Sequence, residues 1–148
     1  MPTNPFADIT VTASVTVVPE QIHSIDQDID LYCGNVRQIE RLKKTIGFDQ
    51  RRIATPDVTA LDLCLQASKR LLSNLNIEAE VLDGIIFVTQ TPDHSQPSNA
   101  SLLHGRLGCR SSCAALDVGL GCSGFVYGLW LAFSLINNGS SERILVLT

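Results

Sequence analysis

The chain has 148 residues, 45% of them apolar and 18% charged, with 15 acidic against 11 basic residues, a formal net charge of −4 and a pI near 5.2. That size and apolar content suit one globular domain, or part of one, with its own core. The acidic balance and the absence of a basic stripe exclude a nucleic-acid partner, and no run of Lys or Arg exceeds two residues, which excludes docking on an anionic membrane surface.

The amino terminus, MPTNPFADIT, has no positive segment followed by an apolar core, so no secretory leader is expected. The β-branched segment 9–18, ITVTASVTVV, predicts a strand closed by Pro19. Ser24 and Gln27 have capping-box spacing and open a short helix that Gly34 and Asn35 interrupt. A second helix carries Val36, Ile39, Leu42 and Ile46 and stops at Gly47. FDQRRIATPD reads as a polar connector. Thr59 and Asp62 are placed to cap the next helix, whose Leu61, Cys64, Leu65, Leu71, Leu72 and Leu75 follow helical spacing.

The stretch 81–91, VLDGIIFVTQT, contains a continuous apolar run from Ile85 to Val88, the pattern of a strand buried on both faces. A loop with Pro92 and Pro97 follows, then a helix over SNASLLHGRLG ending at Gly108, and a short strand over AALDVGLG. The apolar segment from Cys122 to Ile136 predicts a helix that Asn137-Asn138-Gly139 ends; it is too short for the roughly 20 residues of a membrane span and is expected to be buried in protein. RILVLT closes the chain as a buried-type strand. Strands alternating with helices predict βα crossovers and a mostly parallel sheet, with no repeat or linker splitting the domain. Stopping inside an apolar strand suggests a chain cut from something longer.

The five cysteines (Cys33, Cys64, Cys109, Cys113, Cys122) are an odd set without CxxC spacing, so neither a disulfide framework nor a zinc cluster is expected, and reduced thiols in a cytoplasmic chain are. No phosphate loop, dinucleotide fingerprint or metal spacing appears, and no cofactor is expected. Cys122 stands apart because a strand ends and an apolar helix begins there. Unpaired N–H groups at a helix start favour a thiolate, the attacking form of a cysteine. Gly119, Gly121 and Gly124 would let substrate approach the backbone and would permit unusual φ values at the corner. A small thiol beside glycines also packs well with no chemistry, and spacing alone leaves both readings open. Cys33, Cys64, Cys109 and Cys113 are expected to pack, Tyr127 and Trp130 to sit in the core, His94 to be exposed or to face a dimer partner, and His104 to have a packing or surface role. A hydrolase elbow fits poorly, since Leu120 stands where a glycine is wanted and no histidine follows Cys122.

GLGCSGFVYGL, preceded by LDV, resembles the nucleophile segment of the thiolase-like condensing enzymes, and most of all of β-ketoacyl-acyl carrier protein synthase III. VVPEQIHSIDQDID is similar to that family's first strand and the start of its first helix, TIGFDQRRIATPD to its TGI-x-x-R-x-x-A segment, and QTPDHSQPSNASLLHGRLG to the loop and helix before the nucleophile strand. The resemblance implies an α/β fold, with residues 1–148 as the amino-terminal half of an αβαβα layered, homodimeric enzyme whose central sheet has helices on both faces. It also implies that Cys122 takes an acyl group from an acyl-CoA or acyl-acyl carrier protein. Condensation with malonyl-acyl carrier protein then yields a β-ketoacyl thioester for fatty acid biosynthesis, using a histidine and an asparagine from the other half. The isolated piece is therefore expected to be inactive in condensation. Where the family pattern has a tryptophan and an arginine around the coenzyme A adenine, this chain has Arg41 and Thr45; Arg41 stacks on adenine or is merely solvated, and an acyl carrier protein donor is open. Gln96 replaces a phenylalanine on the loop that reaches a partner's acyl pocket. A non-catalytic assembly partner, or a sister enzyme releasing an acid, ester or amide, are the alternatives.

Overall fold

A computed structural model of the chain describes Phe6 and residues 8–148, so most of the segment searched for a leader lies outside the described residues. The chain divides into two compact units, residues 18–59 and residues 60–148 together with the chain up to residue 17.

In the smaller unit β1 (Gln21–Ser24) pairs antiparallel with β2 (Gln50–Ile53), Gln21 opposite Ile53. A 3-10 helix over Ile25–Tyr32 and helix α1 (Val36–Ile46) connect them. The capping box forms: the Ser24 N–H donates to Gln27 Oε1 at 2.9 Å while Ser24 Oγ accepts from the Asp26 N–H at 3.3 Å. Asn35 caps α1, and Gly47 ends it at φ 74°. Lys43 reaches both Asp26 (2.5 Å) and Asp49 (3.0 Å). Asp28 accepts from Arg51 at 2.5 Å and pairs with His23 at 2.7 Å; Arg51 first and His23 second hold its carboxyl down at about 2.

Two expectations fail in this part of the chain. Residues 9–18 form no strand, because β-branched residues only make a stretch suited to a sheet and no described segment pairs with it. The supposed connector 48–57 contains β2 instead. Its Gln50, Arg51 and Arg52 lack apolar alternation, and it is held by pairing with β1 and by the Arg51–Asp28 contact.

The larger unit runs α2 (Ala60–Leu75), a 3-10 turn (Ala79–Val81), β3 (Gly84–Val88), α3 (Asn99–Leu107), β4 (Ala114–Val118), α4 (Gly124–Asn137) and β5 (Ile144–Leu147). The sheet is parallel, in the order β4-β3-β5, with Gly84 opposite both Ala114 and Ile144. All five residues of β3 are buried, as its apolar run predicts. Alternation along the strands separates two cores. Ile85, Phe87, Leu145 and Leu147 pack with Leu61, Leu72 and Leu103 of α2 and α3, whereas Ile86, Val88, Ile144 and Val146 pack with Ala132, Leu131 and Phe133 of α4. Helices therefore cover both faces, as in the αβαβα layering the motifs imply.

The end of the sheet where the strands begin is tied by one carboxylate. Asp83 accepts from the Glu142 N–H (2.7 Å) and the Arg143 N–H (3.0 Å) and pairs with Arg110, while its backbone bonds both Arg143 and Ala114. The N–H groups of Glu142 and then Arg143 hold its carboxyl below the ordinary range. Asp83→Asn is expected to lower unfolding free energy by about 1–3 kcal/mol in urea at neutral pH. Because the folded pKa is depressed, that stabilisation is complete above the unfolded value near 3.9 and is lost as pH falls through the folded one, so wild type and variant should converge below about pH 4.

Candidate active site at the turn before the last helix

Parallel pairing sends the chain out of β3 and β4 at the same edge of the sheet. The Thr89 N–H donates to Val118 O at 3.1 Å, keeping the loop after β3 beside the loop after β4, and Leu120 N–H donates to the same carbonyl at 3.0 Å. Cys122 lies in the turn 121–123, exposed, with Ser123 at the cap position of α4. Ser123 already has helical φ and ψ of −84° and −7° and makes no side-chain cap hydrogen bond, while the Gly124 N–H donates to Gly121 O at 2.8 Å across the turn that holds Cys122.

The glycines have a different role from the one the sequence suggests. None of Gly119, Gly121 and Gly124 has positive φ; the positive values belong to Gly34, Gly47, Gly108 and Gly139. Gly124 and Gly128 instead let α4 lie against β3. A Cβ at Gly124 would stand 2.4 Å from Val88 Cγ1 and 3.3 Å from Leu120 Cβ, and one at Gly128 would stand 2.8 Å from Val88 Cγ2. With Ala132 they form a small-residue stripe one turn apart, buried on the sheet. Gly121 faces the side chain of Gln90, whose Oε1 would be 2.7 Å from an added Cβ.

That close approach also overturns the expectation of a helix buried on every side. Only Gly124, Gly128 and Ala132 of α4 are fully buried, while Phe125, Val126, Tyr127 and Trp130 are each more than half exposed. Tyr127 and Trp130 are therefore not core residues. The sheet meets one stripe of the helix, and no described element of this unit covers the opposite side.

Asp117 was not visible as a positioning group. Its carboxylate oxygens accept from the Asn99 N–H (2.9 Å) and the Ala100 N–H (2.8 Å), tying the start of α3 to the strand that leads to Cys122. Asn99, fully buried, accepts from the Asp93 N–H at 3.2 Å through Oδ1 and holds the loop after β3. The only sequence signal is a carboxylate inside an apolar strand, which asks for buried donors.

Gln96 and His94 lie exposed on that loop, Gln96 just before the cis peptide to Pro97. His104 Nε2 is 3.0 Å from Arg110 O. Arg41 belongs to the smaller unit, exposed on α1 in a groove of about 640 Å³ with Arg37, Gln38, Leu42, Thr45 and Ile46. Among the other thiols Cys113 is buried, and Cys64 and Cys109 are half-buried against the same core. Burial pushes Cys64 and Cys113 up to about 11. Cys33 contradicts the packing expectation: it is exposed at the end of the 3-10 helix, with left-handed φ of 53°. No described helix is long and apolar enough to cross a membrane.

The family model for 3-oxoacyl-[acyl-carrier-protein (ACP)] synthase III matches residues 116–148, which hold the end of β4, Cys122, α4 and β5. A putative 3-oxoacyl-[acyl-carrier-protein] synthase 3 of Campylobacter jejuni is 38% identical over 130 residues, 87% of this chain and 37% of that protein. A β-ketoacyl-[acyl-carrier-protein] synthase III of Caldanaerobacter subterraneus is 43% identical over 101 residues, 68% of this chain and 30% of that protein. Among solved structures, a 3-oxoacyl-(acyl-carrier protein) synthase from Burkholderia xenovorans superposes with a TM-score of 0.84 at 36% identity, covering 90% of this chain and 38% of that one. A variant of OleA from Xanthomonas campestris gives 0.79 at 26% identity, covering 89% and 40%. The chain thus spans less than two-fifths of the length of the curated relatives it matches.

The α4–β3 contact can be tested directly. Alanine normally favours a helix over glycine by about 1 kcal/mol, but the 2.4 Å approach at Val88 outweighs that gain. Gly124→Ala is expected to cost about 1–3 kcal/mol in urea unfolding, and adding Val88→Ala should restore part of the loss.

Proposed function

We propose that the chain, similar in sequence and fold to the 3-oxoacyl-[acyl-carrier-protein] synthase III proteins, is the amino-terminal part of such a protein and carries the nucleophile of a condensing acyltransferase. Cys122 is that nucleophile. Its thiolate attacks the carbonyl carbon of an acyl thioester, the coenzyme A or carrier-protein thiolate leaves, and the acyl group remains on Sγ. Exchange of one thioester for another is nearly isoenergetic, so the acyl group stays reactive. Negative charge on the carbonyl oxygen in the transition state needs fixed donors; the Cys122 backbone N–H, at the helix start, is assigned as one, and the others are assigned to residues outside this chain. The observation that carries the reading is the exposure of Cys122 in the turn immediately ahead of a helix whose cap residue, Ser123, makes no side-chain cap hydrogen bond.

In the second half-reaction, malonyl-acyl carrier protein loses carbon dioxide and its carbanion attacks the acyl-cysteine, releasing the Cys122 thiolate and a β-ketoacyl thioester two carbons longer. The polar groups for decarboxylation are assigned to residues beyond this chain. Gln96 is assigned to the wall of an acyl pocket and Arg41 to the adenine of a coenzyme A donor. A homodimer of the whole protein belongs to the same reading.

Incubating the 148-residue chain with an acyl thioester and mapping the mass gain by peptide analysis tests this proposal. The expected result is one acyl group on Cys122, absent in Cys122→Ala. Acylation that persists in that variant, or that falls on exposed Cys33 instead, rejects the role of Cys122. Supplying malonyl thioester to the acylated chain should give no carbon–carbon bond formation; a β-ketoacyl product would show that the remaining groups are present in this chain.

A further inference from the structure

Two thiols outside the candidate active site lie on one short turn. Cys109 follows the glycine that ends α3, and Cys113 immediately precedes β4. The turn between them is closed by the Cys113 N–H donating to Arg110 O at 2.9 Å, and Cys109 N–H is fixed to His104 O at 3.1 Å. Both side chains, four residues apart across that turn, pack on the same core, Cys113 at 6% exposure and Cys109 half-buried. This pairing sits where the strands begin. Cys122 follows the other end of five-residue β4, which at about 3.3 Å per residue puts it well out of reach of either sulfur.

We propose that Cys109 and Cys113 are a modification site, closing an intramolecular disulfide by exchange with a low-molecular-weight disulfide of the glutathione class. Cys109, the more open of the two, gives its proton to solvent and attacks one sulfur of the reagent. The reagent's S–S bond breaks and the first thiolate leaves and takes up a proton. Cys113 then loses its proton and attacks Cys109 Sγ, expelling the second thiolate. Two protein thiols are oxidised, and one small disulfide is reduced to two thiols. Burial raises both thiols, so exchange speeds up as the medium becomes more alkaline. The product staples the end of α3 to the start of β4, the strand that carries the chain toward Cys122.

The test uses the full chain with the exposed thiols removed, Cys33→Ser with Cys122→Ser, incubated natively with excess glutathione disulfide at about pH 8.5. The expected product is lighter by about 2 Da, with Cys64 the only thiol labelled after unfolding and alkylation. Trypsin cuts after Arg110, so the peptide ending there and the peptide starting at Ser111 should stay joined until reduced. Adding Cys109→Ala, at the half-buried position least costly to folding, should abolish the mass loss. Three alkylatable thiols after incubation, a lasting glutathione adduct on Cys109, or a mass loss that survives Cys109→Ala would each overturn the proposal.

Discussion

Everything at the candidate site depends on how closely α4 can approach β3. Two glycines and an alanine, one helical turn apart, bring the helix backbone against Val88, Ile86 and Val146 with almost no side chain between. The beginning of a helix is set by where its body rests, so this contact determines where Ser123 and Cys122 stand relative to the sheet edge. The interaction is dispersion and burial over a tight surface, which tolerates little added volume. A thiol in the turn ahead of such a helix is held by the sheet and not by its own loop.

Around that contact, polar groups fix what packing leaves free. Asp117 holds the start of α3 on β4, and Asn99 holds the loop after β3 through Asp93. Asp83 does similar work at the opposite edge, gathering the beginnings of β3, β4 and β5. Each carboxylate is satisfied mainly by backbone N–H groups, whose positions are set by secondary structure, so it ties elements together without depending on long flexible partners.

Much of the larger unit was legible in the sequence. The run Ile85–Val88 marks a strand buried on both faces, Ser98 and Gly108 bracket α3, and the helical spacing from Leu61 to Leu72 marks the face of α2 that enters the core. What escaped was relational. Residues 9–18 have strand composition but no described pairing partner, while Gln50–Ile53 lack strand composition and are a strand because β1 lies beside them. The cluster of glycines near Cys122 was noticeable, but residue type cannot tell a bend from a close helix contact; only the distance to Val88 does. Asp117 shows the same limit, since its donors lie on another element.

The outer side of α4 has a consequence for handling the chain in water. It presents Phe125, Val126, Tyr127 and Trp130 on a helix with no charged residue. At neutral pH the net charge of −4 keeps copies apart, but acidification toward the pI near 5.2 removes that mutual repulsion while leaving the aromatic ridge unchanged. With that repulsion gone and the ridge still open to water, the isolated chain is more prone to self-association as the medium nears its pI.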